Sequence, residues 1–217
     1  RDLQKAVLEN KADIGLAFDG DADRCFLVDE KGEAVDPSLL TALIASRELA
    51  KFPGATIIHS LISSRTVVEV INELGGVPVR SRVGHSYIKA LMAETGAIFG
   101  GGHSGHFYFK DFWRADSGAL AALHALAALG ESEKSVSQLL APFKRYVASG
   151  EVNSKVTDAA LVIEAIKEKY SAGPNLNATS ARGAAKPAKI NVATQPAKND
   201  PIPAVKRATP PRPRLAI

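Results

Sequence analysis

The amino-acid sequence predicts an α/β fold with a mixed, mainly parallel sheet flanked by helices. Three observations support this prediction. Short apolar runs of strand length alternate with longer amphipathic segments through the middle of the chain. Glycine-containing turns separate many of them. Asp36 followed by Pro37 supplies an N-cap acid and a proline at the first helical position, which is a strong helix start.

Each element can be placed from these patterns. The first residues form a helix-like segment, and predicted strands follow at 13–18, 25–29, 55–60, 77–83, 97–99 and 106–109. Predicted helices span 38–51, 65–74, 86–94, 119–129 and 136–146, and Gly75 closes the second of these. Since strands and helices alternate between 55 and 99, most neighbouring strands are expected to run parallel.

Composition sets limits on the class of protein. The chain has 217 residues, of which 46% are hydrophobic and 23% charged, so it can form one or two ordinary globular domains. A single cysteine, Cys25, excludes an internal disulfide and is neutral on compartment, so the reducing cytoplasm is the default expectation. The longest apolar run, 119–129, is too short for a membrane span and contains His124. Because the chain begins with Arg1 inside a helix-like segment, we expect a fragment of a longer protein.

The basic charge is concentrated at the end of the chain. Residues 171–217 contain eight Lys or Arg and one acid, a balance of +7, which leaves about −3 for the rest of a chain with net charge +4. This segment also holds eight of the twelve prolines and no aromatic residue, so a divergent, disordered tail is predicted. Without aromatic residues for base stacking, specific nucleic-acid binding is not expected.

The stretch "FDGDADR" carries three aspartates at alternate positions, Asp19, Asp21 and Asp23. Carboxylates this close repel one another unless a cation or strong hydrogen-bond donors compensate. Oxygen-only ligands indicate a hard ion, Mg²⁺ or Ca²⁺. Predicted strands flank the stretch on both sides, so it lies in a connection between them.

Four interpretations of this stretch stay open on residues alone. An EF-hand would use the three aspartates and Glu30 at its twelfth position, but Arg24 replaces the required glycine and the flanks are not helical. A phosphatase or nucleotide-sugar site could hold Mg²⁺ with the aspartates. A phosphosugar mutase loop would use all three, with Arg24 on the sugar phosphate. An ordinary polar turn is the fourth.

Two further segments carry ligand-binding chemistry. Residues 99–118 read "FGGGHSGHFYFKDFWRADSG", with four glycines, His103, Ser104 and His106 inside the first eight positions. Glycines expose backbone N–H groups, and the polar side chains suit hydroxyl or phosphate oxygens. Residues 82–89 read "RVGHSYIK", which places His85 and Lys89 near a predicted helix N-terminus, where anions are favoured.

Taken in order, "FDGDADR", "VGHSYIK" and the glycine-rich segment resemble the alpha-D-phosphohexomutases, most closely the phosphomannomutase/phosphoglucomutase branch. The likeness runs over about residues 1–170. It implies the end of domain 2 at 1–34, domain 3 at 35–146 and the start of domain 4 at 147–170, followed by the divergent tail at 171–217. The implied reaction interconverts hexose 1-phosphate and 6-phosphate, with mannose or glucose phosphate as substrate, through a hexose 1,6-bisphosphate.

The resemblance also implies roles for individual residues. Asp19, Asp21 and Asp23 would ligate Mg²⁺. Arg24 would contact the phosphosugar, and His85 and Lys89 would line the cleft near the reacting hydroxyl, which makes these three the catalytic candidates. The substrate-binding candidates are the polar residues of the glycine-rich loop, His103, Ser104 and His106.

The sequence departs from the family pattern in three places. Gly102 stands where the GExSGH motif has a glutamate that binds sugar hydroxyls. No TASHNP-like phosphoserine loop and no RxSxTEP-type phosphate loop occur in the 217 residues. We therefore expect the chain to be inactive by itself. The alternatives are a Mg²⁺-dependent phosphatase with Asp19 as nucleophile, and a non-catalytic fragment that binds phosphosugars.

Overall fold

The computed structural model describes residues 1–147 and 155–170, together with the backbone of 215–216. Two compact units divide the chain, one containing 1–145 and strand 215–216, the other containing the helix at 159–170. The predicted disordered tail lies almost entirely outside the described residues. Among the residues that are described, no helix combines the length and apolar character needed to cross a bilayer.

The elements follow one another as the alternating pattern predicts. Their bounds are α1 Asp2–Asn10, β1 Ile14–Phe18, β2 Cys25–Asp29, α2 Pro37–Lys51, β3 Thr56–Ser60, α3 Arg65–Glu73, β4 Val77–Ser81, α4 His85–Thr95, β5 Phe99–Gly101, β6 Phe107–Phe109, α5 Gly118–Gly130, α6 Val136–Leu140, a 3₁₀ turn Ala141–Phe143, α7 Ala159–Tyr170 and β7 Leu215–Ala216. Asp36 caps α2 as predicted, since its carboxylate accepts a hydrogen bond from the Ser38 backbone N–H at 2.7 Å.

A four-stranded sheet with strand order β4-β3-β5-β6 forms the centre of the larger unit. β3 pairs in parallel with both β4 and β5, and only β6 is antiparallel. Successive β3 residues face opposite sides, because Ile57 packs into the core beneath α2 and α3 whereas Ile58 packs with Ile88 and Met92 of α4. The fold class predicted from the sequence, α/β with a mainly parallel sheet between helices, is confirmed.

A separate hairpin joins this domain through a common core. β1 and β2 pair antiparallel with Phe18 opposite Cys25, so residues 19–24 form their connection. The short β7 runs parallel to β1 on its other edge. Ile14 and Leu16 of β1 belong to the same buried cluster as Leu40 of α2 and Ala121 of α5. This shared core fixes the position of the 19–24 connection against the sheet domain.

Three sequence predictions of element bounds are wrong. The strand predicted at 77–83 ends at Ser81. The helix predicted at 136–146 ends at Leu140 and gives way to a 3₁₀ turn, because Pro142 lacks an N–H and restricts the residue before it. The strand predicted at 97–99 lies two residues later and includes Gly100 and Gly101. A Cβ at Gly101 would lie 2.6 Å from Thr41 Cγ2, so this glycine allows β5 to pack closely on α2.

Candidate functional site

The β1–β2 connection brings the three predicted metal ligands together. Carboxylate oxygens of Asp19, Asp21 and Asp23 all lie within 4.8 Å of one another. The turn that achieves this is tight: the Ala22 N–H donates to the Asp19 carbonyl at 3.1 Å, and Ala22 adopts a left-handed conformation with φ 58°. The alternating carboxylates therefore converge on one side of a compact loop.

Hydrogen bonding distinguishes the carboxylates. Both the backbone N–H and the Nε of Arg24 donate to Asp19, and these bonds, chiefly the side-chain one, hold the pKa of Asp19 below its usual range. Asp23 is different, because its Oδ1 is buried without a hydrogen-bond partner. Burial raises the pKa of Asp23, and the neighbouring carboxylates add to this effect against the opposing influence of His106. A cation beside Asp23 would supply the missing partner.

Three backbone contacts clamp the aspartate loop onto the sheet domain. The Cys25 N–H donates to the Gly105 carbonyl at 3.0 Å, and the Gly118 N–H donates to the Ala22 carbonyl at 3.0 Å. Arg24 and His106 form an isolated antiparallel bridge between them. A Cβ at Gly118 would lie 2.3 Å from the Arg24 carbonyl oxygen, so only glycine permits this approach.

Asp116 organises the predicted catalytic side chains. Its side chain is 7% exposed, and Lys89 Nζ lies 3.1 Å from its Oδ1. Its Oδ2 lies 2.9 Å from Nδ1 of His85 and 3.0 Å from Nδ1 of His106. Burial alone would raise the pKa of Asp116, but the Lys89 hydrogen bond and the charges of Lys89 and His85 outweigh it, and the pKa falls.

Aromatic contacts hold the same side chains in place. The imidazole rings of His85 and His106 meet edge to face, with centroids 4.4 Å apart. The Tyr108 hydroxyl lies 3.2 Å from Nδ1 of His85, and burial raises the pKa of Tyr108. His106 Nδ1 is also 3.6 Å from Asp23 Oδ1. The group around Asp116 is thus continuous with the aspartate loop.

The glycine-rich loop does not bring all of its predicted ligands to this point. His103 Nδ1 lies 3.1 Å from Asp36 Oδ1 and 3.3 Å from Ser38 Oγ, at the start of α2. Ser104, which lies between His103 and His106 in the sequence, is partly buried. Gly102 is buried, and a Cβ there would lie 3.1 Å from Cβ and Oγ of Ser60. The loop therefore spans two polar clusters, one at Asp116 and one at Asp36.

Sequence reasoning missed Asp116 and Tyr108. Asp116 directly precedes Ser117, whose side chain caps α5, so the aspartate looked like part of a helix start. Tyr108 lies in an apolar strand, "FYF", which predicts core packing. The one sequence signal that could have indicated Asp116 is an acid directly before a helix cap and close in sequence to His103 and His106.

The EF-hand interpretation is wrong. Strands, not helices, flank the aspartate loop. Glu30, which occupied the twelfth position, instead accepts hydrogen bonds from the side chains of Ser135 and Ser137 and from the Ser137 N–H at 3.0 Å. Its carboxylate therefore binds the residues at the start of α6 instead of forming part of the aspartate loop.

A helix-flanked α/β sheet with an aspartate loop clamped to a glycine-rich loop defines a class of domain with known counterparts. Residues 36–146 match the family model described as phosphoglucomutase/phosphomannomutase, alpha/beta/alpha domain III. Residues 1–32 match alpha/beta/alpha domain II of the same family. The chain belongs to the phosphoglucomutase/phosphomannomutase family.

Individual relatives agree with this assignment. The chain is 42% identical over 170 residues to a phosphomannomutase of Methanocaldococcus jannaschii, covering 78% of this chain and 38% of the relative. It is 40% identical over 171 residues to a phosphomannomutase of Escherichia coli K12, again covering 78% of this chain and 38% of the relative. A crystal structure of a phosphoglucomutase/phosphomannomutase family protein from Burkholderia thailandensis superimposes with a TM-score of 0.68 at 32% identity, covering 77% of this chain and 36% of that one. The chain thus spans less than two-fifths of the length of each.

Proposed function

We propose that the chain carries the metal loop and the sugar-binding domain of a Mg²⁺-dependent phosphohexomutase. The reaction interconverts hexose 1-phosphate and hexose 6-phosphate through a hexose 1,6-bisphosphate, with mannose or glucose phosphate as substrate. One observation supports this proposal above the others: Asp23 of the aspartate loop lies 3.6 Å from His106 of the glycine-rich loop, so the two family loops form one continuous site. On the same family relationship we assign the protein to the cytoplasm.

The aspartate loop fits Mg²⁺. Its donors are three carboxylates with oxygens inside 4.8 Å of one another, and Asp23 Oδ1 is buried with no hydrogen-bond donor of its own. Oxygen-only donors suit a hard divalent ion. Asp19, Asp21 and Asp23 would hold it. When bound, the ion supplies charge neutralisation to the phosphoryl group that is transferred.

The remaining residues bind and orient the substrate. The Arg24 side chain is 43% exposed, so its planar guanidinium can face a phosphate while its Nε stays on Asp19. Lys89 and His85 have side chains 42% and 48% exposed and are both anchored on Asp116. They offer a cation and a proton-carrying nitrogen at the edge of the same site. Phosphoryl transfer depends on such positioning and charge more than on covalent chemistry.

Ser104 and His106 are the proposed contacts to sugar hydroxyls. Nδ1 of His106 lies 3.0 Å from Asp116 Oδ2 and 3.6 Å from Asp23 Oδ1, so both carboxylates orient the ring. His103 keeps its predicted role as a substrate ligand only if its ring leaves Asp36, where it lies in the structure. Gly102 removes the carboxylate that would bind two hydroxyls, so we propose weak sugar recognition in this chain.

We keep the domain division predicted from the sequence as part of this proposal: 1–34, 35–146, 147–170 and the tail 171–217. The 217 residues contain no TASHNP-like serine loop. Lacking that phosphoryl donor, the chain by itself is not expected to turn over, and a separately supplied first domain with its phosphoserine is required.

The test is a ³¹P NMR assay of the purified chain with Mg²⁺, mannose 1-phosphate and a trace of mannose 1,6-bisphosphate. We expect an unchanged set of signals with broadened bisphosphate lines, and growth of the 6-phosphate signal once a phosphorylated first domain of a relative is added. Growth without that domain would contradict the need for the serine. Release of inorganic phosphate would instead support the phosphatase, which trapping of an aspartyl-phosphate on Asp19 would confirm.

A metal measurement accompanies the assay. Replacement of Asp21, whose side chain is exposed, by Asn should weaken Mg²⁺ binding measured by calorimetry without altering the fold. Unchanged Mg²⁺ affinity in Asp21→Asn would remove the metal assignment while leaving the family membership intact.

A further inference from the structure

A second group of metal-ligating side chains lies beside the aspartate loop. Ligand atoms of Asp23, His85, His106 and Asp116 all fall within 4.8 Å of one another. They come from four separate segments: the β1–β2 connection, the first residue of α4, the loop before β6 and the residue before the α5 cap. Only the tertiary structure assembles this group, which contains two imidazoles and two carboxylates.

Three of the separations between these atoms are close to those of a tetrahedral metal site. Zinc binds histidine nitrogen and carboxylate oxygen at about 2.0–2.2 Å, so adjacent ligand atoms of a tetrahedron lie about 3.3–3.6 Å apart. In the structure Asp116 Oδ2 lies 2.9 Å and 3.0 Å from the Nδ1 atoms of the two histidines. His106 Nδ1 lies 3.6 Å from Asp23 Oδ1. These three separations lie within a few tenths of an ångström of the tetrahedral spacing, and the other ligand atoms of the group lie within 4.8 Å of one another.

Hydrogen bonding alone accounts for only part of this arrangement. It accounts for the contact of His106 with Asp116 and for the Tyr108 hydroxyl near His85. It does not account for Asp23 Oδ1, which is buried without a hydrogen-bond partner, because His106 Nδ1 at 3.6 Å and Arg24 Nε at 3.9 Å are both too far away to form one. Lys89 binds the other oxygen of Asp116, Oδ1, at 3.1 Å and so leaves Oδ2 directed at the histidines.

We propose that Asp23, His85, His106 and Asp116 form a second metal site, selective for a borderline transition cation such as Zn²⁺. Imidazole nitrogen favours such ions, whereas Mg²⁺ prefers oxygen ligands, so the two sites discriminate by donor type. Asp23 belongs to both groups. Zinc in the second site therefore withdraws a ligand from the Mg²⁺ loop and immobilises His85, which makes Zn²⁺ an inhibitory ligand of the proposed mutase site.

The first experiment measures metal binding by the full chain, with no turnover required. Co²⁺ replaces Zn²⁺ as a visible-absorption probe, and Zn²⁺ affinity follows from its displacement of Co²⁺. The wild-type chain should show the absorption bands of four-coordinate Co²⁺. His85→Ala should weaken binding by about 100-fold or more, since even the loss of an outer hydrogen-bond partner of a ligand costs 10- to 100-fold.

Matched control variants show whether the ion occupies the second site or another part of the chain. The His103 side chain is also 48% exposed and also lies on an aspartate, so His103→Ala should leave Co²⁺ absorption and Zn²⁺ affinity unchanged. Asp21→Asn, which affects only the aspartate loop, should do the same. Because His85 is half exposed, its replacement should not unfold the chain, and His106→Gln gives a second ligand variant. Absent Co²⁺ bands, or equal losses in His85→Ala and Asp21→Asn, would overturn the proposal.

The second experiment tests the shared ligand. Saturating Zn²⁺ should weaken Mg²⁺ binding to the wild-type chain, and His85→Ala should abolish this antagonism. If Zn²⁺ antagonised Mg²⁺ equally in His85→Ala, zinc would be entering the aspartate loop directly, and the second site would be disproved. Both readouts are independent of phosphoryl transfer, so a failed mutase assay leaves this inference standing, and the reverse also holds.

Discussion

Asp116 Oδ2 lies 3.0 Å from Nδ1 of His106, and this contact holds the imidazole that faces the aspartate loop. His106 in turn reaches Asp23 at 3.6 Å, while Lys89 and His85 converge on the same Asp116 carboxylate. An acid that carries no role in the sequence interpretation is therefore the common anchor of three predicted site residues.

Replacement of Asp116 by Asn should destabilise the fold and loosen the site. The side chain is 7% exposed and takes a charge-assisted hydrogen bond from Lys89, so we expect a loss of about 1.5–3 kcal/mol in the free energy of unfolding. Urea denaturation measures it. Lys89→Met should cost less, because Lys89 is 42% exposed and water screens it. If the two variants lost equal amounts of unfolding free energy, the contacts of Asp116 with the histidines would contribute nothing to stability.

Gly118→Ala should separate the aspartate loop from the sheet domain. Its new Cβ would lie 2.3 Å from the Arg24 carbonyl oxygen and 2.8 Å from that of Ala22. Because both are backbone atoms, relieving the clash requires the main chain to move, which costs more free energy than moving a flexible side chain. We expect a loss of stability of several kcal/mol, comparable with the larger overpacking penalties, and weaker Mg²⁺ binding. Thermal unfolding and calorimetry measure the two effects.

Gly130→Ala provides the matched control in the same helix. No atom lies within 4 Å of a Cβ placed there, so the variant should be unchanged or slightly more stable. A Gly118→Ala protein as stable as Gly130→Ala would mean that the loop is not held closely against α5.

Gly102→Glu should strengthen binding of hexose phosphates. The backbone at Gly102 is not left-handed, so glutamate is allowed, but its Cβ would lie 3.1 Å from Ser60 and requires a small shift of that side chain. A charge-assisted contact to sugar hydroxyls is worth about 1.5–3 kcal/mol, which is roughly tenfold or more in affinity. Titration of mannose 1-phosphate by calorimetry checks this.

Gly102→Gln is the control for this change, since it has the same size without the charge. It should give a smaller gain than Gly102→Glu. If both variants bound more weakly than the wild-type chain, the contact with Ser60 would be limiting and the proposed alignment with the family glutamate would fail.

His124 should make stability sensitive to mild acid. Its ring stacks on Phe109 with centroids 5.3 Å apart, and burial lowers its pKa from the usual 6.5, despite the opposing charge of Glu48 at 3.7 Å. The folded state therefore binds this proton less readily than the unfolded state. Stability should be fully present above pH 6.5 and should fall as the pH drops below it, by at most about 1.4 kcal/mol per pH unit from this residue.

His124→Phe keeps the stacking on Phe109 and removes the proton. Unfolding free energies measured between about pH 5 and pH 7 should then depend less on pH, although buried His59, whose pKa burial also lowers, still contributes. An unaltered pH dependence in His124→Phe would show that the imidazole is protonated equally in both states.

Periodicity and local chemistry alone predicted much of this protein. The cap at Asp36, the parallel strands and the order of the three motifs depend on neighbours in sequence, so they can be recognised before folding is considered. The close grouping of Asp19, Asp21 and Asp23 also follows from their spacing, since a six-residue connection between paired strands leaves them little room to separate.

Tertiary structure decided what those motifs do together. Asp116 meets His85 from 31 positions away along the chain, and Gly118 meets the Arg24 carbonyl across 94, so no local pattern could place either contact. The same packing brought His103 to Asp36 and its neighbour in the motif, His106, to Asp116. Local propensity is set by adjacent residues, whereas burial of a charge requires partners that only the folded core brings within reach.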